Sequence, residues 1–188
     1  MTSSSEPERT HKRILIACIG NIFLGDDGFG VEVAKRLVGR TYPEGIHVVD
    51  FGIRGMDLAY SLLDAYDSLV LVDAVARGGQ PGTLYLLEPD LSAMTPEQGG
   101  EAGRIALDTH SMDPVKVLAY ASMLGAQPIP TLLVGCEPEP ATLGTEDPST
   151  EMQMGLSESV QAAVDEAVKM IDAIVEKLVP LSPHSYPG

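Results

Sequence analysis

Four side chains in this sequence have the types and the placing to do chemistry together. Asp26 and Asp27 stand side by side in GNIFLGDDGFG, Asp73 follows the apolar run LVLV, and His110 lies in DTHSMDP. Two adjacent carboxylates at a helix entrance repel a pyrophosphate, the stretch lacks G-x-G-x-x-G, and there is no Walker lysine motif, so a nucleotide does not suit this turn. A cation does. One Asp suffices to cap the following helix through its amides and dipole, leaving the second free to point across the mouth of the fold, where Gly25, Gly28 and Gly30 allow close backbone approach.

Asp73 would end a buried strand, where a carboxylate is costly unless paired or bound to metal; its plainer role is to cap the turn that follows. His110 precedes a helix start, and a single histidine there is ordinarily a surface or capping group. His11 and His184 fall near the termini and His47 opens a strand, and none is assigned a role. Asp27, Asp73 and His110 together offer two oxygens and one nitrogen, a set suited to nickel, zinc or a similar divalent ion with coordination positions left open for capture or reaction.

The elements that must bring these groups together alternate between strand and helix. Residues 13–19 are apolar on both faces and predict a strand in mid-sheet. From Phe29 the period becomes helical, pairing Val33 with Leu37 and Ala34 with Val38 and ending near Gly39. A strand at 46–51, a helix at 56–65 and a strand at 68–75 follow. The turn 78–82 leads to 83–87, expected as a hairpin partner on an edge. Residues 89–107 predict a loop, Asp113-Pro114 opens a helix with the stripe Val117, Leu118, Ala121 and Leu124, and 131–136 predicts a further strand. Residues 137–155 predict another loop, after which Ser157 caps a last helix carrying Val160, Val164, Val168, Ile171, Val175 and Leu178 on one face.

This pattern predicts an α/β three-layer sandwich: a mainly parallel twisted sheet, helices on both faces and one antiparallel edge strand, with ligands beyond the carboxyl ends of the strands. Residues 13–179 are expected to form a single domain between a flexible leader, 1–12, and a flexible tail, 180–188.

Of 188 residues, 44% are hydrophobic and 21% charged, enough for a core without staples. The formal charge of -15 repels phosphate backbones and anionic lipid, which excludes nucleic acid and membrane surfaces as partners. Cys18 and Cys136 lie singly in apolar runs and read as small hydrophobes in a reducing compartment. The polar start lacks the apolar core of a signal peptide, and no stretch is long enough to span a bilayer, so a cytoplasmic location is expected.

GNIFLGDDGFGVEVAKRL, DFGIRGMDLAYSLL, LVLVDAV, GTLYLLEP, THSMDPVKVLAYA and GCEPEPATLG with GLSESV resemble, in order and from about Arg13 to about Leu178, the hydrogenase maturation endopeptidases. The resemblance implies a peptidase, aspartic-type or metal-dependent, that removes a short C-terminal peptide from the large-subunit precursor of a nickel-iron hydrogenase after nickel insertion. It carries the family's metal-contacting positions to Asp27, Asp73 and His110. Asp27 stands where the family often has Glu, which makes the site slightly wider. Ile53 and Arg54 depart from the small or hydroxyl residues common beside Gly52 and Gly55, a change of substrate preference in which Arg54 either engages a precursor carboxylate or forms a surface ion pair.

On this reading the protein acts as a monomer, the precursor supplies the nickel, zinc or another divalent ion can take its place, and the ion or Asp26 polarises the scissile carbonyl or activates water. No HExxH motif and no Ser or Cys nucleophile elbow is present, which points away from an acyl-enzyme. Two rivals use the same groups: a nickel-binding assembly chaperone that contacts the precursor without cutting it, and a small-molecule hydrolase with a deep closed pocket.

Overall fold

The apolar run that predicts a central strand forms one. In a computed structural model, which describes residues 11–89, 114–140 and 154–179, β1 (Ile14–Ile19) has no exposed residue and lies between β2 (Ile46–Gly52) and β3 (Ser68–Ala74), parallel to both. Beyond β3 comes β5 (Thr131–Cys136), also parallel, and then β4 (Leu84–Leu87), antiparallel to β5, giving the order β2-β1-β3-β5-β4. Parallel strands buried on both faces need helices on both sides, and the expected α/β sandwich is what the chain adopts.

Side chains alternate along the strands, so each strand feeds two cores. Ile14, Ile16, Cys18, Val70, Val72, Val134 and Cys136 pack against α1 (Phe29–Leu37) and the long α4 (Glu158–Leu178). Leu15, Ala17, Ile19, Leu69, Leu71 and Leu133 meet α2 (Gly55–Ser61) and α3 (Pro114–Met123). At about 1.5–3 kcal/mol for each fully buried large apolar side chain, these two layers supply the main drive for folding.

Four expectations need correcting. The edge strand β4 pairs with β5 rather than forming a hairpin with β3, because the free edge of β3 is taken by β5 from Leu69 opposite Thr131 to Ala74 opposite Cys136. The turn before β4 is instead tied to the exit of β5, with the Gly82 amide on the Glu137 carbonyl at 2.8 Å and the Glu137 amide on the Thr83 carbonyl at 2.8 Å. Helix α2 ends at Ser61 and closes in tight i to i−3 turns, Leu63 to Tyr60 and Asp64 to Ser61, which return the chain to place the Asp67 amide on the Arg13 carbonyl at 2.7 Å.

Val38 is 75% exposed although Ala34 is buried, since four residues advance a helix by more than one turn and carry Val38 off the buried arc. Leu124 likewise lies beyond the end of α3 and is partly exposed. Asp113, the expected cap of α3, lies outside the described residues, as do 1–10 and 180–188. No described helix is long and apolar enough to cross a membrane.

Candidate active site

The acid-bearing turn begins where β1 stops. The Gly20 amide bonds the Gly52 carbonyl at 3.0 Å, and the chain then closes on itself: Leu24 to Asn21 at 3.1 Å, Asp27 to Leu24 at 3.2 Å, and the Asn21 amide shared between the carbonyl of Asp27 at 3.1 Å and its Oδ2 at 2.9 Å. The result is a short 3-10 turn, Gly25–Gly28, leading directly into α1. Two glycines make this closure possible. Gly20 has φ +146°, and a Cβ on it would stand 2.1 Å from the Asp27 carbonyl oxygen; a Cβ on Gly30 would stand 2.1 Å from the Ile19 oxygen and 2.5 Å from that of Val72. The start of α1 therefore rests on the carboxyl ends of β1 and β3, and Asp27 and Asp73 share that rim.

The two adjacent acids do different work. Asp27 is half-buried; burial pushes its carboxyl up from the ordinary value, and the Asn21 amide pulls it part of the way back. Asp26 is fully buried, and its carboxylate accepts the Glu139 amide at 2.8 Å, the Ser157 amide at 2.6 Å and the Ser157 hydroxyl at 2.9 Å. Neither caps α1 through its side chain; the N-cap there is Gly28. Asp26 reaches instead to the start of α4, where the Ser157 hydroxyl makes no capping bond to a helix amide and lies 3.3 Å from the Ser159 hydroxyl.

Asp73 is 6% exposed, stands opposite Gly135 in the sheet, and accepts on Oδ1, at 2.8 Å, the amide of Ala74, the last residue of β3. His110, the third member of the expected set, lies outside the described residues. Among the described residues no three His, Cys, Asp or Glu side chains gather to hold a metal ion. Of the expected set, Asp27 and Asp73 offer carboxylate oxygens at the rim, donors that suit a divalent ion only in company with a further ligand.

A profile of the hydrogenase maturation protease family matches residues 31–174. The chain belongs to that family. It is 27% identical over 168 residues to the hydrogenase 2 maturation protease of Escherichia coli, covering 88% of this chain and 92% of the relative. It is 29% identical over 160 residues to the hydrogenase expression/formation protein HupD of Bradyrhizobium diazoefficiens, covering 85% and 78%. Among solved structures, the hydrogenase maturating endopeptidase HybD from E. coli superimposes with a TM-score of 0.64 at 26% identity, covering 88% of this chain and 93% of that one. The [NiFe] hydrogenase maturation protease HycI from Thermococcus kodakarensis gives 0.59 at 25%, covering 89% and 94%.

In this maturation protease Glu137 is a rim carboxylate that sequence reading passed over. It is 4% exposed and accepts the Arg77 amide at 2.9 and 3.1 Å, the Gly78 amide at 3.0 Å and the Tyr85 hydroxyl at 2.7 Å. Burial pushes its carboxyl up, but the Tyr85 hydroxyl and the amides of Arg77, Gly78 and Gly79 outweigh that and hold it below the ordinary value. The signal that could have found it is the one that found Asp73, an acid directly after a buried strand.

Arg54 folds back on its own loop. Its Nε donates to the Phe51 carbonyl at 3.1 Å, a terminal nitrogen donates to the Asp50 carbonyl, and Asp57 lies 3.6 Å away across an exposed ion pair. The surface ion pair considered for it is formed with Asp57.

Proposed function

We propose that this protease removes a C-terminal peptide from the nickel-loaded large-subunit precursor of a nickel-iron hydrogenase, and that Asp27, Asp73 and His110 contact the nickel carried by that substrate. The observation that carries the reading is the seating of the Asp27 turn on the carboxyl ends of β1 and β3, beside Asp73, in a chain of this family. In an open α/β sheet that rim is where ligands sit. The precursor delivers the ion, so an unfilled precursor lacks the group that the carboxylates recognise.

Hydrolysis then needs a base for the attacking water and a proton for the leaving amine. Asp27 suits the first task, since its half-buried carboxylate reaches solvent, whereas the Asp26 oxygens are turned toward Glu139 and Ser157. This is carboxylate-assisted hydrolysis of the aspartic kind without a covalent acyl-enzyme. The unpaired buried thiols of Cys18 and Cys136 support a reducing, cytoplasmic setting, and the formal charge of -15 opposes self-association and favours a monomer.

The test is to incubate the purified protein with nickel-loaded and nickel-free precursor and to weigh the products by mass spectrometry. Loss of a C-terminal fragment from the loaded form alone is expected. Equal cleavage of both ends the nickel-gating idea, and an intact precursor in a stable complex makes the protein a carrier.

A further inference from the structure

Between the end of β5 at Cys136 and the start of α4 at Glu158, Glu139 lies near one end of the connection and Ser157 at the other, and both meet one buried carboxylate. Asp26 Oδ2 takes the Glu139 amide and the Ser157 hydroxyl, and Oδ1 takes the Ser157 amide, from partners 113 and 131 residues away in sequence. A buried carboxylate without compensation is costly. Here donors from Glu139 and Ser157 and the positive end of the 21-residue α4 surround it. Because the next residue is Asp27, whose own carboxylate is tied back to Asn21, the position of the acid turn is fixed from two sides.

We propose that Asp26 is a positioning residue for this protease: its carboxylate clamps both ends of the Glu139–Ser157 connection to the turn that presents Asp27. This rests on the proteolytic reading of the rim. An amide in place of the carboxylate keeps the shape but offers one accepting oxygen; its NH₂ then faces a backbone N–H, and the clamp opens at one end.

The experiment compares wild type, Asp26→Asn and Ser157→Ala in the full chain, with hydrogen exchange at the Glu139 and Ser157 amides as one readout and steady-state cleavage of nickel-loaded precursor as the other. In Asp26→Asn, exchange at whichever of the two amides is left facing the NH₂ accelerates about tenfold or more, and kcat falls by about tenfold or more with a much smaller change in KM, as expected when a reacting group is misplaced while the substrate surface is kept. Ser157→Ala, which removes one donor and keeps the backbone bonds, shows a loss of a few fold in the same direction. Abolished turnover with unchanged amide protection makes Asp26 a reacting group and overturns the proposal, as does wild-type turnover in Asp26→Asn. If Asp26→Asn does not fold, Ser157→Ala decides, and wild-type kcat with wild-type protection overturns the clamp. A wild-type protein that cleaves no precursor sinks the proteolytic reading, while the exchange rates still judge the clamp.

Discussion

Glu137, the residue after β5, accepts the backbone amide of Arg77 from 60 residues earlier and so anchors the turn that follows Asp73. The bonds favour the charged carboxylate, whose pKa lies below its ordinary value in the fold. A depressed acid adds stability that is fully present above the pKa of the unfolded chain and is lost as pH falls through the folded value. Glu137→Gln should therefore lower the denaturation midpoint at pH 7, and the gap to wild type should close as pH drops through and below the ordinary carboxylate range. Denaturant titrations at pH 7 and at acid pH check this; a gap independent of pH removes Glu137 from the linkage.

A second expectation concerns the seat of α1. At Gly30 an added methyl meets two backbone carbonyl oxygens, at 2.1 and 2.5 Å, and neither can swing away as a side-chain end would. Overpacking of this kind costs about 1–3 kcal/mol, and for two backbone clashes the upper end applies. Gly30→Ala should lower stability by about that amount and reduce precursor cleavage, because the helix start that carries the Asp27 turn must lift off the sheet. Gly39, with open space around it, is the control: Gly39→Ala should leave both quantities unchanged.

Which of these relationships sequence can announce depends on how local their causes are. The strands β1 and β3 are legible because a continuous apolar run, six residues in β1 and four in β3, has no solvent face, and Asp73 is legible because an acid directly after such a run must have a reason. The pairing of β4 is not: its partner β5 arrives some fifty residues later, and the turn 78–82 looks alike whether it closes a hairpin or hands the chain across a neighbour. Asp26 shows the same limit. As one of two adjacent acids it reads as a cap for α1, whereas its donors come from Glu139 and Ser157, and nothing in GDDG encodes them. His110 lies outside the described residues, and its place in the set is read from its position in DTHSMDP and from the family resemblance.

The cysteines give a third prediction. Burial, with the charge of Asp50 adding to it, pushes the Cys18 thiol far up, and burial with the nearby charges of Asp26 and Glu137 pushes Cys136 up to about 12. The thiolate is the reactive form, so both should resist iodoacetamide at pH 8 in the native protein and react fully in denaturant. Mass spectrometry counts the adducts. Rapid native labelling of Cys136 would mean that the β5 end beside Asp26 opens readily.

The fourth separates chemistry from stability at the rim. Burial holds the Asp27 carboxyl above its ordinary value, which means that the folded protein disfavours its charge. A group raised in this way contributes most at low pH and loses that contribution as pH rises through the folded value, so at pH 7 ionised Asp27 is a burden on the fold. Asp27→Asn keeps an oxygen for the Asn21 amide and removes the burden. Its unfolding midpoint at pH 7 should equal or exceed that of wild type while kcat/KM on the loaded precursor falls by about 10²-fold or more. Asp73→Asn, which retains an acceptor for Ala74, should show the same loss of cleavage. Stability kept and activity lost is the mark of residues selected for a reaction against the interest of the fold. Full cleavage by both variants would take the two carboxylates out of the mechanism.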